Sequence, residues 1–353
     1  MPRFRVPITV AAAATVAALA GVGVVLQASQ SLAAGTVEVI RVHSRALEGN
    51  LVGDSPDRSV SVYLPPGYAS NGERRYPVVY LLHGFTDTDA KWFGRDGSHW
   101  IHLPTVLDRA FAASGTERMI VVMPDGLNAF GGSFYSASVT IGDWETFVAE
   151  ELVAEIDRRY RTRAARDSRG LAGHSMGGYG AIRLGMKRPD VFAAVYAMSA
   201  CCLTPPTAGG GRPSVAEAVT SLEEVASAGF GVKAALATAA AFAPNPDNPP
   251  LYLDLPTRNG EPQAGTIARL AANAPVVMAP QYAFNLRRLR ALALDIGTRD
   301  GLIGGNEALD RVLTAHGVPH VYEMYDGDHL DGVAVRIETR VVPFFSTHLA
   351  GRE

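Results

Sequence analysis

Apolar and polar residues alternate over residues 36–43 (TVEVIRVH) and again over 58–64, with a turn-forming stretch at 49–57 between them. A period of two marks a half-buried strand, so the pattern predicts an antiparallel hairpin. The pattern then changes. Residues 77–82 (PVVYLL), 119–123 (MIVVM), 168–174, 192–198 and 291–296 are short runs of apolar or small residues, and 321–325 (VYEMY) reads as a last strand. Unbroken apolar runs of this length belong to strands covered on both faces. Helical spacing separates them: 101–113, 144–160 behind the capping residue Asp143, 177–187 stopped by Pro189, 306–316 and 333–349. Within 144–160, Phe147, Val148, Leu152, Val153 and Ile156 recur at a helix period. Strand and helix in alternation predict the α/β class, a mostly parallel sheet with helices on both faces, joined by right-handed crossovers.

From 203 to 286 the rhythm breaks. Thr204-Pro205-Pro206 and Gly209-Gly210-Gly211 open this stretch, Ser214 with Glu217 has the spacing of a capping box, 234–242 can form a helix, and the Pro/Asn-rich run 244–250 follows. Long non-repeating insertions in compact domains are usually functional. Residues 204–286 therefore read as a helical lid over the carboxyl edge of the sheet, dividing a core made of 34–203 and 287–353.

The first 33 residues carry Arg3 and Arg5, then an uncharged Ala/Val-rich run over 8–26, then Ser31-Leu32-Ala33. This is the layout of a secretory signal peptide cleaved near Ala33. An uncleaved anchor is the alternative, because a run of this length is just long enough to span a bilayer. Export by either route makes the product secreted or envelope-bound. Loss of Arg3 and Arg5 would take the formal charge from -3 to -5. A weakly acidic surface argues against a nucleic-acid partner, which needs a basic patch. The two cysteines are adjacent, Cys201 and Cys202, and read as small buried residues kept reduced, with a strained vicinal ring as the alternative. No metal-ligand spacing stands out, and no cofactor motif is evident.

The chemistry centres on Gly173-His174-Ser175-Met176-Gly177. In G-x-S-x-G a strand turns so sharply into a helix that only small residues fit two places before and after the serine, whose hydroxyl is pushed above the sheet. A serine hydroxyl needs an imidazole to take its proton, and the imidazole needs an acid to fix its tautomer. Asp300, in Gly297-Thr298-Arg299-Asp300-Gly301, follows one late strand, and His329, in Asp326-Gly327-Asp328-His329, follows the last. The order Ser, Asp, His is that of this type of elbow. Asp295 sits inside its strand, His83 and His174 come too early to be the base, and His316 and His320 fall at the opposite edge and read as solvated. Asp326, Asp328 and Asp331 lack the spacing of a calcium loop and read as a solvated turn. Main-chain N–H groups of Met176 and Phe85 are the candidate oxyanion donors. Trp92, Phe134, Tyr135 and Tyr179 are candidate walls of an acyl or aryl pocket.

Leu81-Leu82-His83-Gly84-Phe85, Met123-Pro124-Asp125-Gly126, the elbow through Gly180, Gly297-Thr298-Arg299-Asp300 and Gly327-Asp328-His329 together resemble the esterase-D-like branch of α/β-hydrolases, which includes feruloyl and acetylxylan esterases, S-formylglutathione hydrolase and mycobacterial mycolyltransferases. The resemblance implies an α/β-hydrolase fold, Ser175 as nucleophile, Asp300 as acid, His329 as base, Phe85 and Met176 as oxyanion donors, and a small-molecule, polysaccharide or lipid ester as substrate. An exported carboxylic-ester hydrolase is the leading expectation. An acyltransferase, in which a sugar or glycerol hydroxyl replaces water, and an inactive cell-wall binding protein remain the alternatives.

Overall fold

The computed structural model describes residues 34–206 and 214–349. The segment read as a signal peptide or anchor, and the run Gly209-Gly210-Gly211, lie outside the described residues. Thr36–His43 (β1) and Asp57–Leu64 (β2) form the expected antiparallel hairpin, with Thr36 opposite Leu64 and His43 opposite Asp57. Val78–Leu82 (β3), Ile120–Pro124 (β4), Arg169–His174 (β5), Ala194–Met198 (β6), Ala291–Gly297 (β7) and Val321–Tyr325 (β8) complete an eight-stranded sheet among the described residues. The spatial order is β1-β2-β4-β3-β5-β6-β7-β8, antiparallel as far as the β2–β4 pair and parallel from there on. This is the α/β-hydrolase architecture.

The unbroken apolar runs have the reason proposed for them. In β3, Val78, Tyr80 and Leu82 point into one apolar cluster while Val79 and Leu81 point into another on the opposite face. Ile120 and Val122 of β4 divide from Val121 and Met123 in the same way. Leu103–Ala112 (α1) and the C-terminal run Val333–Arg336, Ile337–Val341 and Val342–His348 cover the second face. The first is covered by Trp144–Thr146, Phe147–Glu151 and Leu152–Arg159, by Met176–Lys187 (α2), and by Ile303–Ala315 (α3). Asp143 caps as its sequence predicts, its Oδ1 accepting from the Thr146 N–H at 3.0 Å.

The insertion carries more helix than its sequence suggested. Leu222–Ser227 (α4), Phe230–Phe242 (α5), Ala264–Ala272 (α6) and Pro275–Leu286 (α7) are helical. The box of Ser214 and Glu217 is formed, but on the single tight turn Val215–Ala218 and not on a helix of any length. Helices α3 and α5 begin before the expected positions, despite glycines at 304, 305 and 231, poor helix formers, in their first turns. Leu236, Ala240, Phe242 and Leu251 join the apolar cluster of the sheet, so the insertion has no separate core. Polar ties add to this: Ser138 Oγ donates to Ala240 O at 2.6 Å, Tyr179 OH to Asn273 O at 2.9 Å, and the Val276 N–H to Leu203 O at 3.0 Å.

Candidate active site

Strand β5 ends at His174 and α2 begins at Met176, leaving Ser175 alone at the corner with φ 56° and ψ -114°. Such a conformation is costly for a residue with a side chain and persists only where its surroundings hold it. The Ser175 N–H donates to Met198 O at 3.0 Å, and Ser175 O accepts from the Tyr179 and Cys201 N–H groups at 3.0 and 3.2 Å. The flanking glycines are required by contact: a Cβ at Gly173 would lie 2.1 Å from Gly177 O, and one at Gly177 would lie 2.0 Å from Leu82 O.

Two loops leave the carboxyl ends of β7 and β8 and meet this corner. The Ser175 hydroxyl donates to His329 Nε2 at 2.9 Å, and His329 Nδ1–H donates to Asp300 Oδ2 at 2.8 Å. The Asp300 side chain is 1% exposed and that of His329 36%, so the carboxylate is sealed while the imidazole is in part exposed. Burial alone would raise the Asp300 carboxyl, but hydrogen bonds from His329 and from the Leu302 N–H outweigh it and hold the group below the ordinary carboxylate range. An ionised Asp300 places the ring proton on Nδ1 and leaves Nε2 free to accept. The Thr298 N–H donates to Tyr325 O at 2.8 Å and the Arg299 N–H to Gly327 O at 2.9 Å, which stitches the acid loop to the histidine loop. The Arg299 guanidinium also pairs with Asp326 and Asp331 across that seam.

The loop after β3 passes beside the nucleophile, with Gly84 placed so that a Cβ on it would sit 3.5 Å from Ser175 Cβ. The Gly126 N–H donates to His83 Nε2 at 2.7 Å, so the His83 proton is on Nδ1 and is donated to Gly84 O at 2.8 Å. Gly84 O accepts a second bond from the Asp87 N–H at 3.3 Å. In a trans peptide C=O and N–H point opposite ways, so the Phe85 N–H is aimed away from His83. Met176, first residue of α2, carries one of the N–H groups that a helix start leaves without an intrahelical partner. The Phe85 and Met176 side chains both press on Gly132, where a Cβ would meet Met176 Sδ at 2.4 Å and Phe85 Cδ2 at 2.8 Å. The two candidate oxyanion donors therefore come from neighbouring segments.

The four aromatics expected to line a pocket are placed otherwise. Trp92, Phe134, Tyr135 and Tyr179 are all buried to within 2% exposure, and they plug the core. Each polar tip has a protein partner: Trp92 Nε1 donates to Asp87 Oδ2, Tyr135 OH to His83 O and Tyr179 OH to Asn273 O. A buried Trp or Tyr is kept only where its N–H or O–H is satisfied, and here the satisfaction is internal. The Phe85 ring, half-buried, instead meets that of Phe230, 69% exposed, with centroids 5.5 Å apart. Phe230 opens α5, and its significance was hidden by its place in an insertion of unassigned packing. A cavity of about 720 Å³ also lies within the insertion, between residues such as Glu217, Asn248 and Arg258, and no triad residue lines it.

Other residues hold the site together and were passed over as candidate bases. His174 is buried; Nε2–H donates to His329 O at 2.8 Å, and its ring lies 4.8 Å from the His329 ring. Burial and the neighbouring His329 push its pKa down to about 3, so it stays neutral. Asp295 is fully buried inside β7, bonded to Tyr196 OH and Arg336 Nε, away from the base as its position predicted. His320 is not solvated: Nε2 bonds Asp310 at 2.9 Å and Nδ1 bonds Val318 O. Cys202 is exposed and Cys201 half-buried, so the pair is not the buried one expected.

The sequence profile of the Esterase family matches residues 55–331, which includes every residue of the constellation above. The chain belongs to the Esterase family. An esterase of Mycobacterium tuberculosis is 37% identical over 145 residues, covering 40% of this chain and 28% of the relative. An endo-1,4-beta-xylanase/feruloyl esterase of Xylanibacter ruminicola is 32% identical over 143 residues, 38% of this chain and 18% of that protein. The match thus spans less than a third of either relative. A solved ferulic acid esterase superposes with a TM-score of 0.62 at 25% identity, covering 89% of this Esterase-family chain and 98% of its own.

Proposed function

We propose that this protein is an exported serine carboxylic-ester hydrolase. The observation that carries the reading is the line of hydrogen bonds from Ser175 through His329 to Asp300, set on a strained strand-to-helix corner in a chain of the Esterase family. Ser175 Oγ attacks the ester carbonyl as His329 Nε2 takes its proton. The tetrahedral oxyanion is received by the N–H groups of Phe85 and Met176, and the proton passes from His329 to the departing alcohol. Water then attacks the acyl-enzyme, giving its proton to His329, and the carboxylic acid leaves as Ser175 regains a hydrogen. Asp300 stays ionised throughout and stabilises the imidazolium. The helical insertion acts as a lid, its Phe230 closing over the acyl group beside Phe85. The names of the relatives direct the first substrates to hydroxycinnamoyl and short acyl esters. Export rests on the N-terminal pattern, and an N-terminal sequence of the extracellular protein beginning near Gly35 would support it.

The test is turnover of p-nitrophenyl esters of increasing acyl length by the wild type, Ser175→Ala and Asp300→Asn. The expected result is loss of kcat by about 10⁶-fold in the first variant and about 10⁴-fold in the second, with folding retained. A Ser175→Ala protein that kept wild-type turnover would overturn the assignment.

A further inference from the structure

We propose that Cys201 and Cys202 form a reversible dithiol–disulfide site coupled to the catalytic serine, with a low-molecular-weight disulfide as its chemical partner. The two residues follow β6 on the carboxyl edge of the sheet, where the chain holds Ser199 at φ 44° and Cys202 at φ 57°. Two left-handed non-glycine residues within four positions are a strain that their surroundings must hold. They are held by three bonds, one of which reaches the active site: Ser199 N–H to Asp295 O at 2.8 Å, Cys201 N–H to Ser175 O at 3.2 Å, and Asn306 Nδ2 to Ala200 O at 2.9 Å. The two sulfurs stand 2.9 Å apart, both free, with Cys202 exposed. A neighbouring thiol and burial push the Cys201 thiol up, which leaves Cys202 as the attacking group.

The chemistry balances without further reagents. The Cys202 thiolate attacks one sulfur of the small disulfide and expels its other half as a thiolate, giving a mixed disulfide. The Cys201 sulfur, losing its proton, then attacks Cys202 Sγ and expels the second thiolate. The cysteines lose two electrons and two hydrogens in all, and the small disulfide becomes two thiols. Neighbouring Cα atoms lie about 3.8 Å apart across a trans peptide, short of the span of about 4.4–6.8 Å that unstrained disulfides adopt. The ring is therefore strained and easily reduced, which makes it labile and not a structural staple. Closing it twists the Cys201–Cys202 peptide, which adjoins the Cys201 N–H that bonds Ser175 O. It also pulls on Leu203, whose carbonyl accepts from the Val276 N–H at the start of α7.

The experiment incubates the purified protein over a series of oxidised-to-reduced glutathione ratios and reads free thiols, intact mass and ester turnover on each sample. Both thiols are expected to disappear together, with a mass lower by two hydrogens and no retained glutathione. Excess reduced glutathione should restore them, and turnover should change at least about tenfold in step, since a displacement near 1 Å at a reacting group is worth up to about 100-fold. Cys202→Ser is expected to keep the turnover of the reduced protein and to become insensitive to the ratio. Retention of two thiols throughout, separate glutathione adducts on each cysteine, or ring closure with unchanged turnover would overturn the proposal. The thiol and mass readings involve no ester, so a protein inert to every ester would sink the hydrolase reading while leaving the dithiol chemistry measurable.

Discussion

His174 shows how one residue of the elbow motif serves the site without joining the triad. Its ring is buried against Trp92, Trp100 and His329, and its Nε2–H holds the backbone carbonyl of the base. The folded protein keeps this ring neutral down to about 3, whereas the unfolded chain takes a proton near its ordinary value of 6.5. The unfolded state therefore binds more protons between those values, and stability falls as pH is lowered through that window. The slope approaches about 1.4 kcal/mol per pH unit from this one group. Urea unfolding of the wild type and His174→Asn across the window should give a shallower pH dependence for the variant; parallel curves would contradict the assignment. The meeting of Ser175, His329 and Asp300 was legible in the sequence because G-x-S-x-G and chain order constrain it. His83 and His174 could be rejected as bases from order alone, but the Gly126 N–H that sets the His83 tautomer and the hold of His174 on the His329 carbonyl are contacts between segments far apart in the chain.

At the scale of elements, the C-terminal helical run is tied to three strands by one side chain. Arg336 Nε bonds Asp295 on β7 at 2.8 Å, and its terminal nitrogens reach Tyr196 OH on β6 and Glu323 on β8. Hydrogen bonds from Arg336 hold Glu323 down to about 2. Arg336→Met leaves Asp295 buried without its cation and is expected to cost about 3–5 kcal/mol in chemical denaturation. Asp295→Leu combined with Arg336→Met should recover part of that loss, because no charge is then stranded. The insertion makes its own prediction. Phe230→Ala, at the exposed start of α5, should raise KM for aryl and long-chain esters while leaving kcat for acetyl esters near wild type. Equal effects on both would remove Phe230 from the lid. The strands were read well because an apolar run buried on two faces leaves a distinct pattern, as Val78 to Leu82 shows. Helices α4, α6 and α7 were missed for separate reasons: α4 is only six residues long, α6 buries only Thr266 and Leu270, and α7 carries Pro280 in its interior.

The molecule as a whole places the chemistry by topology. The order β4-β3-β5 brings the loops after β3 and β5 side by side at the carboxyl edge, where ligands of open α/β sheets bind. The loops after β7 and β8 then close on the same corner. Sequence pattern foresaw that Ser175, Asp300 and His329 meet at this edge, but not that Trp92, Phe134, Tyr135 and Tyr179, which carry the composition of a pocket, are spent on the core. Burial of an aromatic depends on the surfaces that meet it, which no local pattern encodes. The most direct test of the central claim is the rate at which an active-serine phosphonate labels the protein, read by mass spectrometry of the peptide that carries the adduct. The account predicts stoichiometric labelling on Ser175, slowed at least about 1000-fold in His329→Ala because the hydroxyl then lacks its base. Labelling elsewhere, or at an unchanged rate in His329→Ala, would contradict it.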